Sequence, residues 1–580
     1  MQEAAVAPRH RWRLRGEEPT RRNLLAARGD LHPVVADLLA RRGVAPEELR
    51  DFLDASLHHL PDPSSLPDLD AAVAALERAR SAGRRVLVHG DYDVDGTCGA
   101  VLLHFLLERL GIDVEVHVPD RIADGYSFSE RSLRKAEELD VGLVVAVDNG
   151  TTAYPALEHF AARGVEVVVV DHHPLGPTRP PCAALVNPWC APGAGTPDGP
   201  FAHFSGAAMA WFLAWGALRS LRGPELDAAD RRFLVDALGL AAIATVADVM
   251  PLRGPNRAIV RQGLKTLEDS GLPGVRALVA AAGVRGEPTA GDVGFRLGPR
   301  LNAAGRMGRA ELAFQALAAR SRREAEEACA ALDALNRERQ EATERELRRF
   351  APRVEERLRA GDRVLVVGDE DAPFGIMGIV AGKLCEDTGL PSLAWAGCGD
   401  GVARGSARAP EGVDLVALLD GASDLLRGYG GHARAAGFEF DPARADVLEA
   451  RLREHAAVLP PPPEPEIVVD AELHPGECDL ALARALEGLA PFGEGFPEPL
   501  FLVSDLELVA PPRPLGDGSH LELRLGRDGA VVRTLAWRAA ERLAGLRQGD
   551  RIDAVVRVGV NRFRGREDVE WTLQDLRTPA

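Results

Sequence analysis

Three short apolar runs between Arg84 and His173 each stop abruptly at acidic or imidazole side chains. The runs are "VLVH", "LVVAV" and "VVVV", and stretches such as "TCGAVLLHFLLERLG" with helical periodicity separate them. Short runs that stay apolar on both faces are typical of buried parallel strands. The alternation predicts a doubly wound α/β domain, in which ligands bind beyond the carboxyl ends of the strands.

The residues at these strand ends are rich in metal-ligating groups. They are His89, Asp91, Asp93 and Asp95 at the first run, Asp148 at the second, Asp171, His172 and His173 at the third, and Asp248 after the apolar run "AAIATVA". Each acid taken alone is equally well explained as the N-cap of a following helix. Carboxylates from several strands meeting at one edge would repel each other unless divalent cations neutralised them.

The mixture of carboxylate and imidazole groups favours a transition metal such as Mn²⁺ over an all-oxygen Mg²⁺ or Ca²⁺ site. Enough ligands are present for two ions, which is the usual arrangement for in-line phosphoryl displacement. The nucleophile expected at such a centre is a metal-bound hydroxide, because the cations lower the pKa of water.

The rest of the chain divides by composition and periodicity. We predict a helical segment over 1–80, the catalytic α/β domain over 81–308, and a connection of one or two long helices over 309–360. A second α/β domain follows over 361–458, and "LPPPPEPE" forms a stiff linker over 459–466. Short, evenly spaced strands over 467–580 predict an all-β barrel, for which an oligonucleotide-binding (OB) fold is one option.

The formal net charge of −18 argues against a nucleic-acid binder, but its distribution is uneven, since 513–577 holds 13 arginines and 10 acidic residues. In this region Trp537, Phe563 and Trp571 are interleaved with arginines, a combination that suits single-strand binding. These arginines are Arg533, Arg538, Arg562, Arg564 and Arg566. Barrel-core packing explains Trp537 and Trp571 equally well. Scattered cysteines and the lack of a long apolar stretch indicate a cytoplasmic protein with reduced thiols and no membrane attachment.

Four ordered motifs, "DYDVDG", "VDNG", "VDHH" and "VADVMPL", resemble those of the DHH phosphoesterase superfamily. The stretch "GYGGHARAAGFEF" resembles the Gly-Gly-His motif of the DHH-associated domain. Two further stretches, "RLGPRLNAAGRMG" and "APFGEGFPEPLF", are similar to the RecJ family of single-strand-specific exonucleases within that superfamily. The resemblance covers nearly the whole chain. It departs from the pattern at Ala372 and Pro373, where a Trp-His pair is usual.

The resemblance implies a role for each matching residue. It makes Asp93, Asp95, Asp148, His172 and Asp248 metal ligands, with His89 as an additional candidate. His173 would polarise the scissile phosphate or position the cations, Asp171 would orient a histidine, and Asp91 would brace the loop. The residues expected to contact phosphates are Arg121, Arg306, Ser406, Arg408, Gly430, Gly431 and His432.

The resemblance also implies the activity, a Mn²⁺- or Mg²⁺-dependent 5′→3′ exonuclease acting on single-stranded DNA in recombination and repair. Its expected partners are single-stranded DNA with a 5′ end, a helicase and a single-strand-binding protein, with the enzyme itself a monomer. Two alternatives remain: an oligonucleotidase or nucleotide phosphatase of the same superfamily, and a non-catalytic DNA-binding scaffold of the same fold.

Overall fold

The computed structural model describes residues 7–125, 127–190, 199–399 and 401–578. The chain forms two compact units, the first made of residues up to His59, Leu252–Arg257 and the residues from Glu464 onward. The second unit comprises Leu60–Pro251 and Ala258–Pro463. Within the described ranges, no helix is both long and apolar enough to cross a lipid bilayer.

The strands are numbered in chain order. They are β1 Arg11–Leu14, β2 Val86–His89, β3 Val114–His117, β4 Leu143–Val147, β5 Glu166–Val170, β6 Ala184–Val186, β7 Leu365–Asp369, β8 Ser392–Gly397, β9 Ala403–Arg408, β10 Leu426–His432, β11 Ala435–Phe440, β12 Glu466–Val469, β13 Ala471–Glu472, β14 Phe501–Leu508, β15 Arg513–Leu515, β16 His520–Arg527, β17 Ala530–Ala536, β18 Arg551–Phe563 and β19 Arg566–Arg577.

The helices are numbered in the same way. They are α1 Pro19–Arg28, α2 Pro33–Arg41, α3 Leu49–Asp54, α4 Leu69–Ser81, α5 Val94–Arg109, α6 Glu130–Glu138, α7 Tyr154–Ala162, α8 Gly206–Arg222, α9 Ala228–Ala247, α10 Gly254–Thr266, α11 Pro273–Ala281, α12 Ala290–Asp292, α13 Gly298–Arg306, α14 Glu311–Ala318, α15 Arg322–Ala360, α16 Met377–Thr388, α17 Leu415–Asp420, α18 Ala445–Val458 and α19 Leu480–Glu487.

The first sheet of the second unit is wholly parallel and has the strand order β3-β2-β4-β5-β6. Its central strands β2 and β4 are buried along their whole length, which explains their unbroken apolar sequences. The order reverses direction between β2 and β4, so the carboxyl ends of these two strands flank the switch point at which α/β sheets bind ligands.

The second sheet of this unit has the order β10-β11-β9-β8-β7, and only the pair β7 and β8 is parallel. The 39-residue helix α15 precedes this sheet. It begins with a capping box between Ser321 and Glu324 and ends at Gly361, which takes the left-handed conformation (φ 77°) that glycine adopts easily. The two α/β domains and the long helix of the predicted fold class are therefore present.

The C-terminal strands form one sheet in the order β13-β14-β18-β19-β17-β16-β15, and a further pairing of β14 with β16 closes it into a barrel. Trp571 lies at the centre of its hydrophobic core with no exposed surface. This confirms the predicted all-β C-terminal domain.

The structure corrects one expectation about secondary structure and makes two others more specific. The N-terminal segment is not purely helical, because Arg11–Leu14 forms a parallel pair with Glu466–Val469, and a partner so distant in sequence leaves no local signal. The connection over 309–360 consists of two helices, α14 and α15. The predicted barrel region contains the strands β13 to β19.

Candidate metal centre

The structure brings the acids at the strand ends together with Asp248, which follows α9, and with two histidines. Their side chains form three sets, and within each set the potential ligand atoms all lie within 4.8 Å of one another. The sets are Asp91, Asp93 and Asp148; Asp95, His172 and Asp248; and Asp148, His172 and His173. All five residues predicted as metal ligands therefore lie in one group, which we call the carboxylate cluster: Asp91, Asp93, Asp95, Asp148, His172 and Asp248.

His172 lies at the middle of the cluster. Its Nε2 atom is 3.1 Å from Asp148 Oδ1, 3.6 Å from Asp248 Oδ2 and 3.7 Å from Asp95 Oδ2. Its backbone oxygen accepts a hydrogen bond of 2.9 Å from Trp189 Nε1, which fixes the turn after β5. Burial lowers the pKa of His172 despite the nearby carboxylates, so the ring favours the neutral form that ligates metals.

The carboxylates of the cluster are held under strong mutual repulsion. Burial and then Asp93 raise the pKa of Asp91 well above its ordinary value, and burial with Asp95 and Asp93 does the same for Asp148. The pKa of Asp248 rises to about 8, through burial first and then Asp95 and Asp93. In addition, Asp91 Oδ1 is buried and has no hydrogen-bond partner among the described residues. A divalent cation would satisfy this oxygen and neutralise the set, so these residues fit a metal centre.

Backbone groups fix the acids in place. Asp93 caps α5 by accepting a hydrogen bond of 3.1 Å from Gly96 N. Both oxygens of Asp95 accept bonds from the start of α8, at 2.6 Å from Gly206 N and 2.8 Å from Ala207 N. Asp148 has a left-handed backbone (φ 62°), which is uncommon for a residue with a side chain and typical of functional sites.

The side chain of Asp171 is hydrogen-bonded to the ring of His173, and not to the ring of His172. His173 Nδ1 donates to Asp171 Oδ1 at 2.7 Å, and Thr151 N donates to the other carboxylate oxygen at 3.1 Å. Burial opposes the charge on Asp171, but these bonds outweigh it and hold the pKa of the carboxyl far below its usual range. Burial likewise disfavours charged His173, yet the bond to Asp171 and the field of that carboxylate raise the pKa of His173 to about 9.

The structure places two residues differently from what the sequence suggested. His89, the additional candidate ligand, lies outside the carboxylate cluster, because its ring stacks on Phe128 at 4.1 Å and its Nε2 is 3.0 Å from Ser132 Oγ. Asp91, predicted only to brace the loop, instead belongs to the cluster. Its place directly after β2, at the same sheet edge as Asp93 and Asp148, is the signal that could have identified it.

The predicted phosphate-contacting residues come from several elements of the second unit. The guanidinium of Arg121 lies 5.0 Å from the centre of the Tyr92 ring. Ser406 Oγ and Arg408 Nη2 both lie beside Gly378 at the start of α16. A Cβ on Gly378 would be 3.4 Å from each of these two atoms. Burial, followed by the fields of Arg121, Arg339 and Arg408, lowers the pKa of Arg306 to about 10.

The remaining predicted contacts, Gly430, Gly431 and His432, lie on the exposed edge strand β10. Gly431 has φ 141°, and a Cβ there would lie 2.3 Å from Ala435 O, so the hairpin alone already requires glycine. Ala372, which replaces the tryptophan of the usual Trp-His pair, is buried in a core cluster beside Phe374 and Ile376.

The aromatic residues of the barrel separate into two groups. Trp571 is core, whereas the side chains of Trp537 and Phe563 are 54% and 64% exposed. Arg533 and Arg562 form ion pairs with glutamates of the same unit, while Arg564 lies over the ring of Phe563. Trp537 and Phe563 are therefore surface residues, although His520 contacts the first ring edge to face and Arg564 covers one face of the second.

Comparison with known proteins agrees with this architecture. Residues 85–245 match the family model of the DHH family, N-terminal domain, residues 361–457 match the DHHA1 domain, and residues 469–575 match the RecJ OB domain. The fold and the carboxylate cluster thus define a DHH-type protein with a DHHA1 domain and an OB domain.

Relatives over the full length give a more specific assignment. The chain is 36% identical to the single-stranded-DNA-specific exonuclease RecJ of Thermus thermophilus, covering 98% of this chain and 79% of that protein. It is 30% identical to the RecJ of Escherichia coli, covering 94% and 96% of the two chains. The chain belongs to the RecJ family.

Solved structures of the Thermus thermophilus RecJ contain the expected cations. The structure in complex with Mn²⁺ matches with a TM-score of 0.83 at 34% identity and covers 99% of this chain and 80% of that one. The structure in complex with Mg²⁺ matches with a TM-score of 0.76 at 32% identity, covering 99% and 79%. The carboxylate cluster offers acidic and imidazole groups positioned to bind such ions.

Proposed function

We propose that this chain is a metal-dependent exonuclease that hydrolyses phosphodiester bonds of single-stranded DNA in the 5′→3′ direction, in DNA recombination and repair. The observation that carries the proposal is the convergence of six candidate ligands at the carboxyl ends of three strands and one helix. The name single-stranded-DNA-specific exonuclease that its relatives bear supports the same substrate.

We assign the cluster to two divalent cations, Mn²⁺ or Mg²⁺, with Asp91 added to the ligands predicted from sequence. Cations bound there would neutralise the carboxylates, polarise a phosphate and acidify a water molecule. His173, which Asp171 orients and whose pKa is raised to about 9, is cationic at neutral pH when no cation is bound and is placed to stabilise negative charge on the phosphate.

Substrate binding is assigned to Arg121, Arg306, Ser406, Arg408 and His432, with Gly430 and Gly431 giving the backbone close access. The guanidinium groups suit phosphate oxygens, since each presents a planar set of donors. In the barrel, the exposed rings of Trp537 and Phe563 suit sequence-independent stacking on bases.

We further propose a monomeric cytoplasmic enzyme that acts with a helicase and a single-strand-binding protein. A duplex offers stacked, paired bases, so a helicase would supply the single strand, and a single-strand-binding protein would keep it unpaired. Sedimentation of the pure protein tests the monomer, and copurification from cell extract with and without nuclease treatment tests direct contact with either partner.

The central test is product analysis on single strands labelled at the 5′ or the 3′ end, with Mn²⁺ and with Mg²⁺. We expect immediate release of the 5′ label as a mononucleotide and gradual shortening of the 3′-labelled strand. Asp148→Ala should abolish hydrolysis, whereas Asp113→Ala, which removes an exposed carboxylate paired with Arg85, should not. Preferred turnover of dinucleotides over long strands would instead identify an oligonucleotidase, and binding without hydrolysis a scaffold.

A further inference from the structure

Helix α15 carries one arginine that differs from all its others. Of the ten arginines in Arg322–Ala360, nine have a carboxylate oxygen within 4.0 Å. The exception is Arg339. In the part of the chain that the structure describes, its only hydrogen bond from the guanidinium is the one from Nη2 to Asn336 Oδ1 at 3.0 Å, and its Nε is buried without a partner.

Arg339 lies close enough to Arg306 for its charge to disfavour that of Arg306, and other arginines near Arg306 also lack acidic partners. Arg121, Arg306 and Arg408 likewise have no carboxylate within 4.0 Å among the described residues. The field of Arg339 is the second largest charge effect on Arg306, after that of Arg121, and Arg121 also acts on Arg408. We call these four residues the arginine cluster.

The four members come from four separate elements: the loop after β3, the end of α13, the middle of α15 and the end of β9. Packing fixes α15 in this place, because Ala342, one turn after Arg339, shares a core cluster with Met307, which follows Arg306. Gly305, the neighbour of Arg306, packs against Tyr92, since a Cβ on it would lie 2.6 Å from Tyr92 O, and Arg121 lies over the Tyr92 ring. The arginine cluster therefore adjoins the Asp91–Asp93 part of the metal centre.

Positive charges that rigid elements hold close together repel each other, and burial increases the electrostatic free energy of this repulsion. The protein contains 87 acidic residues, yet within the described ranges none has a carboxylate oxygen within 4.0 Å of these four guanidinium groups. A multiply charged anion is the natural complement, and a chain of phosphodiesters beside the metal centre supplies one.

We infer that Arg339 is a substrate-binding residue that contacts a backbone phosphate of the single strand, so that helix α15 is part of the binding surface and not only a connection. This inference rests on the proposed function. Asn336 is its positioning residue, since its buried side chain holds Nη2 and leaves Nη1 for the ligand.

The test measures binding of a 5′-phosphorylated oligothymidylate in EDTA over a series of salt concentrations, together with hydrolysis in Mn²⁺. Arg339→Gln should weaken binding roughly tenfold. It should also reduce the slope of log K against log salt by about 0.7, the value for one lost contact on a single strand. Arg339→Lys keeps the charge and should retain that slope.

The matched control is Arg337→Gln on the same helix, where the arginine is exposed and pairs with Asp333. It should leave affinity and slope unchanged. A wild-type slope and affinity for Arg339→Gln would overturn the inference, provided that the wild-type protein binds and degrades the strand. Failure of the wild-type protein itself to bind or degrade the strand would instead refute the proposed function. If Arg339→Gln fails to fold, strands with single methylphosphonate linkages decide. At the linkage that Arg339 contacts, the wild type should lose more affinity than Arg339→Lys, because lysine has already lost the planar set of donors; equal losses at every linkage would overturn the inference.

Discussion

Gly206 is the position at which one added methyl group should disturb the metal centre most directly. It is the first residue of α8, and its N–H holds Asp95 Oδ2 at 2.6 Å. A Cβ on Gly206 would lie 2.8 Å from Asp148 Cβ and 3.0 Å from Asp148 Cα, whereas ordinary contact begins at 3.4 Å. In Gly206→Ala, the helix start and Asp148 must therefore separate by about 0.6 Å.

The structure allows little relaxation of this clash. Asp148 is already in a left-handed conformation, and the helix start is bonded to Asp95 through both Gly206 N and Ala207 N. Overpacking of this kind costs about 1–3 kcal/mol of unfolding free energy. A misplacement of about 1 Å lowers catalytic rates on the order of 100-fold, so we expect at least a tenfold loss of Mn²⁺ affinity and of kcat.

The assay is calorimetric titration with Mn²⁺, combined with urea unfolding of the metal-free protein. Gly216→Ala is the matched control on the same helix, because its Cβ would meet the flexible side-chain end of Leu69 at 2.7 Å. We expect the control to lose stability and to keep its Mn²⁺ affinity. If both variants bound Mn²⁺ as the wild type does, the close approach of Gly206 to Asp148 would have no role in the site.

Three other outcomes follow from the charges and the burial. In the metal-free protein the raised pKa values of Asp248 (about 8, from 3.8) and His173 (about 9, from 6.5) both mean that the folded state binds extra protons. Above pH 7, where the buried neutral His89 and His117 no longer add to the pH dependence, its stability should therefore fall up to pH 9, and Mn²⁺ should raise Tm more at pH 8 than at pH 5.5; equal shifts would contradict this. Asp171→Asn should lower the pKa of His173 toward its ordinary value in NMR titrations of the metal-free protein, because the bond that raises it is lost; an unchanged pKa would contradict this. Trp571→Ala should cost about 3–5 kcal/mol in urea unfolding, since the ring is core, whereas Trp537→Ala should leave stability unchanged and weaken single-strand binding; the reverse pattern would refute the division between core and surface.

The first sheet and its metal centre could be predicted because the relevant information is local. Apolar runs identified β2, β4 and β5, and parallel strands necessarily bring their carboxyl ends to one edge. The residue after each strand was thus placed near its counterparts without knowledge of any contact. The pairing of β1 with β12 could not be predicted in this way, because its hydrogen bonds join segments that are hundreds of residues apart.

The proposed role of Arg339 could not be predicted from local sequence either, because it depends on contacts between distant segments. Periodicity identifies a charged helix over this region, but ten arginines on one helix look alike in sequence. What distinguishes Arg339 is the absence of an acidic partner in the described part of the chain, and several of the other arginines find that partner on another element, such as Glu449 of α18 for Arg353. Only the tertiary packing decides which cation is left for a ligand.

The strand-end acids also show that helix capping and metal binding are compatible roles. From the sequence alone, helix capping and metal binding are alternative explanations, since either accounts for an aspartate after a strand. Asp93 does both, because its Oδ1 accepts from Gly96 N while the carboxylate lies within ligand distance of Asp91 and Asp148. A carboxylate has about four lone-pair sites, so a backbone bond uses one and orients the others. Capping therefore positions the acid for metal binding, and an acid that caps a helix at a strand end is a better ligand candidate than one held by a flexible loop.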